Sequence, residues 1–236
     1  MGRAFEKRKH KMFANNSRNS RAFTKIGKEI SIAVKAGGPE PENNSRLRVI
    51  ITNAKAVNMP KANIDGAIQR ASSKQDKDFQ EVVYEGKGLH SVAIVIETAT
   101  DNPTRTVANL RSYFNKKGGQ LMVSGSLDFL FERKGIFKIV PNGLSIEDFE
   151  LEMIDYGLEE VEDDGEGHLM LSVPFTEFGA MQQALESKKI EIVNAELMRI
   201  PTTFVDVSEE HETEVNVLLD LIDEDDDVTK IYHNMR

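Results

Sequence analysis

The sequence has no cysteine and no tryptophan among its 236 residues. Without cysteine there can be no disulfide, no thiolate zinc site and no cysteine nucleophile, and the composition fits a reducing cytosol, the compartment expected for this chain. Long apolar runs are also missing. The longest, such as "VAIVI" at 92–96, fall far short of the roughly 20 residues a membrane-spanning helix needs, so no membrane partner is expected. Histidine is scarce and scattered. His10 sits in a basic arm and His168 in a predicted strand, with no HExxH and no pair at metal-ligand spacing. The loop "KKGGQLMVSGS" at 116–126 has glycines but follows a helix, precedes a strand and has no lysine after Gly125; a phosphate-binding loop of the nucleotide-hydrolysing type needs the reverse order. No catalytic residue, metal site or cofactor is therefore expected, and the acidic run "DLIDEDDD" at 220–227 reads as an exposed solubilising face.

Charge is abundant and unevenly placed. The chain carries a formal net charge of −9, yet residues 1–75 hold 16 Lys and Arg against 5 acids, leaving 14 basic and 34 acidic residues for the remainder. A basic first third joined to an acidic body points to a polyanionic partner for the former. The basic arm contributes Arg3, Lys7, Arg8, Lys9, Lys11 and Arg18. At about 100° per residue, Phe23, Ile26, Ile30, Ala33 and Val34 then share one helical arc, while Arg21, Lys25, Lys28 and Lys35 lie opposite as a basic stripe. "GGPEP" stops that helix. A second follows Ser45, with Arg48 and Lys55 on one face. A third begins at "NMPKANIDGAIQRA", where Pro60 suits a first turn and Lys61 and Arg70 add charge. The three form a small basic bundle closed by the polar break "SSKQDKD".

Beyond that break the pattern alternates between strands and helices. "FQEVVYEG" and "SVAIVIETAT" read as strands, "NPTRTVANLRSYFNKKGG" as a helix, and "SLDFLFERKG" and "IFKIV" as two further strands. "SIEDFELEMIDYG" reads as a helix capped by Ser145, "LEEVEDDGEGHLMLSV" as a hairpin, "TEFGAMQQALESK" as a helix and "EIVNAELMRI" as a strand. An acidic helix from Ser208 and a strand "VTKIYH" finish the chain. Antiparallel sheets with helices on one face make this α+β. On the helix before the 116–126 loop, Arg105, Asn109, Ser112 and Lys116 share a face suited to sugar and phosphate. In the loop, Lys116 and Lys117 flank Gly118 and Gly119, Met122 offers an apolar contact, and Gly125 and Ser126 close the turn, so the loop is a candidate contact to a functional centre.

The segments "FTKIGKEISIAVKAGGPEPENNSRLR", "AKAVNMPKANIDGAIQRA", "YEGKG", "TDNPTRTVANLRSYFNKKGG" and "GSLDFLFERKG" together resemble the YebC family, to which the mitochondrial translational activator of cytochrome oxidase subunit one also belongs. The resemblance implies a basic helical domain at 1–75, a middle α+β domain from 79–134 and 205–236, and an α+β domain at 135–204 inserted into it; sequence pattern alone would equally allow three domains in series. Many family members open with a "GHSKW"-like arm, which "GRAFEKRKHKMF" does not reproduce. The family carries two functional labels, transcriptional regulator and ribosome-associated translation factor that assists synthesis through stretches such as consecutive prolines. Both imply a nucleic-acid partner. Ribosomal or transfer RNA is favoured over DNA, partly through what the resemblance implies and partly because "PKANIDGAIQRA" offers only Lys61, Asn63, Gln69 and Arg70 for base reading. A protein-interaction module using the acidic domains is the third reading.

Overall fold

The computed structural model describes residues 3–73, 78–143 and 145–236, with side chains from Ser20 onward. Helix α1 (Arg3–Gly37) is followed by α2 (Ser45–Ala56) and α3 (Lys61–Ala71). One side chain joins the first two: Asn44 accepts from the Leu47 amide at 3.0 Å to cap α2, and donates to the Ala33 and Gly38 carbonyls at 2.8 and 2.9 Å to close α1. The expected apolar arc is the bundle core, with Ile30, Ala33, Leu47, Ile50, Ile64 and Ala67 all buried.

The body begins with β1 (Gln80–Lys87), β2 (Ala93–Thr100), α4 (Pro103–Lys116) and the short β3 (Gln120–Leu121). The chain then leaves for a second layer: β4 (Phe131–Ile139), α5 (Ile146–Met153), β5 (Glu160–Asp163), β6 (Leu169–Pro174), α6 (Phe178–Ser187) and β7 (Ile192–Pro201). It returns through α7 (Glu209–Asp223) and β8 (Val228–His233). Two antiparallel four-stranded sheets result, ordered β3-β1-β2-β8 and β5-β6-β4-β7. The fold is α+β, as the sequence pattern requires.

One expectation needs correction. "SLDFLFERKG" and "IFKIV" are not two strands, since residues 131–139 form a single strand paired with β7 from Phe131↔Pro201 onward. The expected boundary at 134/135 thus falls inside β4. Gly135 is no break: a Cβ there would lie 2.6 Å from the Phe178 ring and 2.9 Å from Val173, so glycine makes room for α6 to pack on the strand.

Strand β2 is apolar on both faces because both are covered. Ile94 and Ile96 pack under α4 and α7 with Leu110, Phe114, Leu218 and Ile222. Ala93 and Val95 face the other way, against Leu127, Phe131 and Tyr232 where the two sheets join. The bundle docks on the edge strand β7 through Asn53, whose amide donates to the Ala195 carbonyl at 2.7 Å and accepts from its amide at 3.0 Å, as a neighbouring strand would.

Candidate nucleic-acid interface

The stretch "TDNPTRT" at 100–106 turns β2 into α4. Pro103 occupies the first helical turn, Asn102 caps the helix by accepting from the Arg105 amide at 3.1 Å, and Thr100 Oγ1 accepts from the Asn102 amide at 3.0 Å. This built corner holds Asp227, from the turn between α7 and β8. Arg105 donates to Asp227 Oδ2 at 2.6 Å, Thr106 Oγ1 at 2.9 Å and Thr100 Oγ1 at 3.1 Å, while Lys28 from α1 reaches Oδ1 at 2.8 Å. The Asp227 side chain is only 5% exposed and that of Lys28 12%. Burial alone would raise the Asp227 pKa, but hydrogen bonds from Arg105, Lys28 and Thr106 outweigh it and hold the carboxyl down to about 2. The same bonds drive the Arg105 pKa up, with Asp227 first and Asp101, at 2.8 Å, second.

Two expectations change here. The acidic run is not simply a solubilising face, because its end is a buried clasp. Asp225 accepts from Asn109 and from the Tyr113 hydroxyl, each at 3.0 Å, and burial together with that bond pushes the Tyr113 pKa up to about 12. The basic stripe of α1 is not an outward face either. Lys28 also donates to the carbonyls of Ala99 and Asp226, Lys25 pairs with Asp223 at 2.6 Å, and Arg21 lies 3.8 Å from Glu224. Lys35 pairs with Asp78 at 2.7 Å. Arg48 forms a two-pronged pair with Glu186 of α6, at 3.1 and 3.0 Å, and so joins bundle to insert. For Arg21, Lys25 and Lys28 the anion, in this conformation, is the protein's own acidic turn.

The 116–126 loop is held rather than slack. Glu85, buried in β1, accepts from the Gly125 amide at 2.7 Å through Oε1 and from the Leu127 amide at 2.6 Å through Oε2, while its carbonyl accepts from the Met122 amide at 2.7 Å. Gly118 and Gly125 have φ of 72° and 86°, which L side chains rarely adopt. The close approach expected of Gly119 is internal: a Cβ there would sit 2.8 Å from the Lys87 carbonyl. Ser126 Oγ donates to the Val123 carbonyl at 2.6 Å and tightens the tip. What the loop presents outward is Met122 and Val123, the latter 79% exposed, with Phe129 close behind in sequence at 77%.

The remaining site residues divide by position. Lys55, Lys61, Arg70 and Lys116 are exposed and Lys117 is half-buried, and none makes an ion pair among the described residues. Arg111, missed in the sequence reading, lines grooves with Ser112 and Lys116 on one side and with Met122 and Val123 on the other. Its signal was a second cation on the helix that carries Arg105 and Lys116. Glu85 was missed too, although an acid between the apolar "VVY" and a glycine in a strand was a visible anomaly. The side chains of Arg3, Lys7, Arg8, Lys9, Lys11 and Arg18 lie outside those described.

Comparison with known proteins gives matches along nearly the whole chain. The family model for the TACO1/YebC protein N-terminal domain matches residues 3–74, and that for the TACO1/YebC second and third domain matches residues 79–235. A probable transcriptional regulatory protein of Parabacteroides distasonis is 51% identical, with 100% of this chain and 97% of the relative covered. One of the same description from Cytophaga hutchinsonii is 50% identical, covering 100% and 98%. The crystal structure of a conserved hypothetical protein from Aquifex aeolicus superposes with a TM-score of 0.77 at 34% identity, over 94% of this chain and 92% of the other.

Proposed function

The chain belongs to the TACO1/YebC family, and from that premise we propose that it is a non-enzymatic, nucleic-acid-binding regulator of gene expression that works in the cytoplasm. Within that class we propose an RNA-engaging translation factor acting on the ribosome, which assists synthesis through difficult stretches. The observation that carries the reading is the exposed tip of the 121–126 loop, where apolar Met122 and Val123 line a groove with Arg111 on a backbone fixed by Glu85, with Lys116 and Lys117 a few residues earlier in the chain. Apolar surface next to cations suits unstacked bases and a single-stranded backbone better than a duplex groove. Lys55, Lys61 and Arg70, with the basic arm, supply long-range attraction, and binding reshapes rather than reacts.

The names of the relatives favour a second reading, a DNA-binding transcriptional regulator using the same bundle. The test is the triple variant Lys55→Gln, Lys61→Gln, Arg70→Gln, three exposed positions whose change leaves the core untouched. Each lost phosphate contact lowers the slope of log affinity against log salt by about 0.7 for single strands and about 0.9 for duplex DNA. Ribosome co-sedimentation over a salt series should show weaker binding and a slope shallower by roughly 2 units for RNA. An unchanged slope with a native fold sinks the assignment of these cations to phosphate.

A further inference from the structure

Where the bundle meets the two sheets there is a cavity of about 580 Å³, within the range of small-molecule sites. Glu29 of α1 lines it and receives no hydrogen bond from the described residues. Four charged side chains act on Glu29 most strongly: Arg46 of α2, Glu81 of β1, Glu196 of β7 and Lys230 of β8. These are already matched. Arg46 pairs with Glu81, and Lys230 donates to Glu196 at 2.7 Å and to the Leu197 carbonyl at 3.1 Å. Elsewhere on the wall Arg199 pairs with Glu97 at 3.0 Å, and the Arg133 guanidinium lies 3.7 Å above the Phe175 ring.

Over the whole wall four carboxylates meet four cations, but among the groups around Glu29 the two cations are taken by Glu81 and Glu196, and Glu29 is the carboxylate left without a donor. Glu29 is half-buried, and partly burying an unpaired carboxylate carries a cost that is relieved by a proton or by a cation with hydrogen-bond donors. Burial does push the Glu29 pKa up; Lys230 and Arg46 oppose this, and Glu81 and Glu196 add to it. The cavity also has apolar wall at Val49, Ile50 and Phe178. From this arrangement we propose that the cavity binds a small organic monocation, an alkylammonium or alkylguanidinium head on Glu29 with its alkyl body against Ile50, Val49 and Phe178. The head group is supplied either by a free amine or by a lysine or arginine side chain of a peptide, and the two share this chemistry.

Titration calorimetry of the full chain with n-butylammonium, with n-butylguanidinium and with acetyl-arginine amide tests the proposal. Saturable binding at one site per chain is expected, weakened about tenfold or more by Glu29→Gln. Binding favours the ionised carboxylate, so affinity should rise with pH until Glu29 is ionised in the free protein and then level off, a dependence that Glu29→Gln abolishes. Binding of acetyl-arginine amide alone supports the site and assigns the head to a peptide. If Glu29→Gln does not fold, Glu29→Asp is the second variant: it withdraws the carboxylate by one methylene and should weaken binding while keeping the pH dependence. No saturable binding of any probe by the parent, or equal affinity in parent and Glu29→Gln, overturns the proposal.

Discussion

Replacing Asp227 by asparagine should unlatch the bundle from the body. The side chain keeps its shape but loses its charge in a place where only 5% of it meets solvent and where four donors converge. Its folded pKa of about 2, against an ordinary 3.8, corresponds to roughly 2 kcal/mol of stability at neutral pH. Lys28 loses its carboxylate but keeps the Ala99 and Asp226 carbonyls, and Arg105, 46% exposed, keeps Asp101. These residual partners argue for a loss of about 2 to 3 kcal/mol rather than the 3–5 of a fully orphaned buried pair. The sign with pH is fixed: a depressed carboxyl pKa stabilises above its unfolded value, and that stability disappears as pH falls from about 4 toward 2. Urea unfolding of parent and variant should therefore differ by this amount at pH 7 and converge in acid. A double-mutant cycle with Lys28→Met should give a coupling of about 1 to 2 kcal/mol. Equal stability at neutral pH, or a difference that persists unchanged in acid, would refute the clasp.

Other outcomes follow from the same geometry. Glu85→Gln puts an NH₂ group where one loop amide needs an acceptor, so stability should drop by about 1 to 3 kcal/mol and hydrogen exchange should quicken at Gly125 and Leu127. Met122→Ser with Val123→Ser changes only exposed side chains, so a reconstituted translation assay should show intact ribosome association with reduced relief of stalling; full relief would remove the tip from the proposed mechanism. Phe114→Ala empties a site under α4 that is wholly buried against β2 and α7, and should cost about 3 to 5 kcal/mol in chemical denaturation.

Local structure was legible in the sequence wherever one face of an element is apolar and its ends carry caps. Ile30, Leu47 and Ile64 announced the bundle, Ser145 does cap α5, and the acidic helix α7 does begin after Ser208. Gly135 misled because a glycine that admits the Phe178 ring looks like one that ends a strand. The stripe of α1 misled for a different reason. Lysines on a helix face read alike whether their anion is a phosphate or an aspartate 199 positions away, as Lys28 and Asp227 are. Pairing over that separation leaves no local periodicity, and the basic first third and acidic body are in part complements of each other. The 116–126 loop was recognisable as a turn, but its anchoring by Glu85 depends on β1 lying beside it.

Crosslinking the protein to nucleic acid in living cells and sequencing what is attached tests the functional claim most directly. The account requires ribosomal or transfer RNA to dominate, with crosslinked peptides from the 116–126 loop and from the segments bearing Lys55, Lys61 and Arg70. Recovery of promoter DNA in place of those RNAs would contradict it.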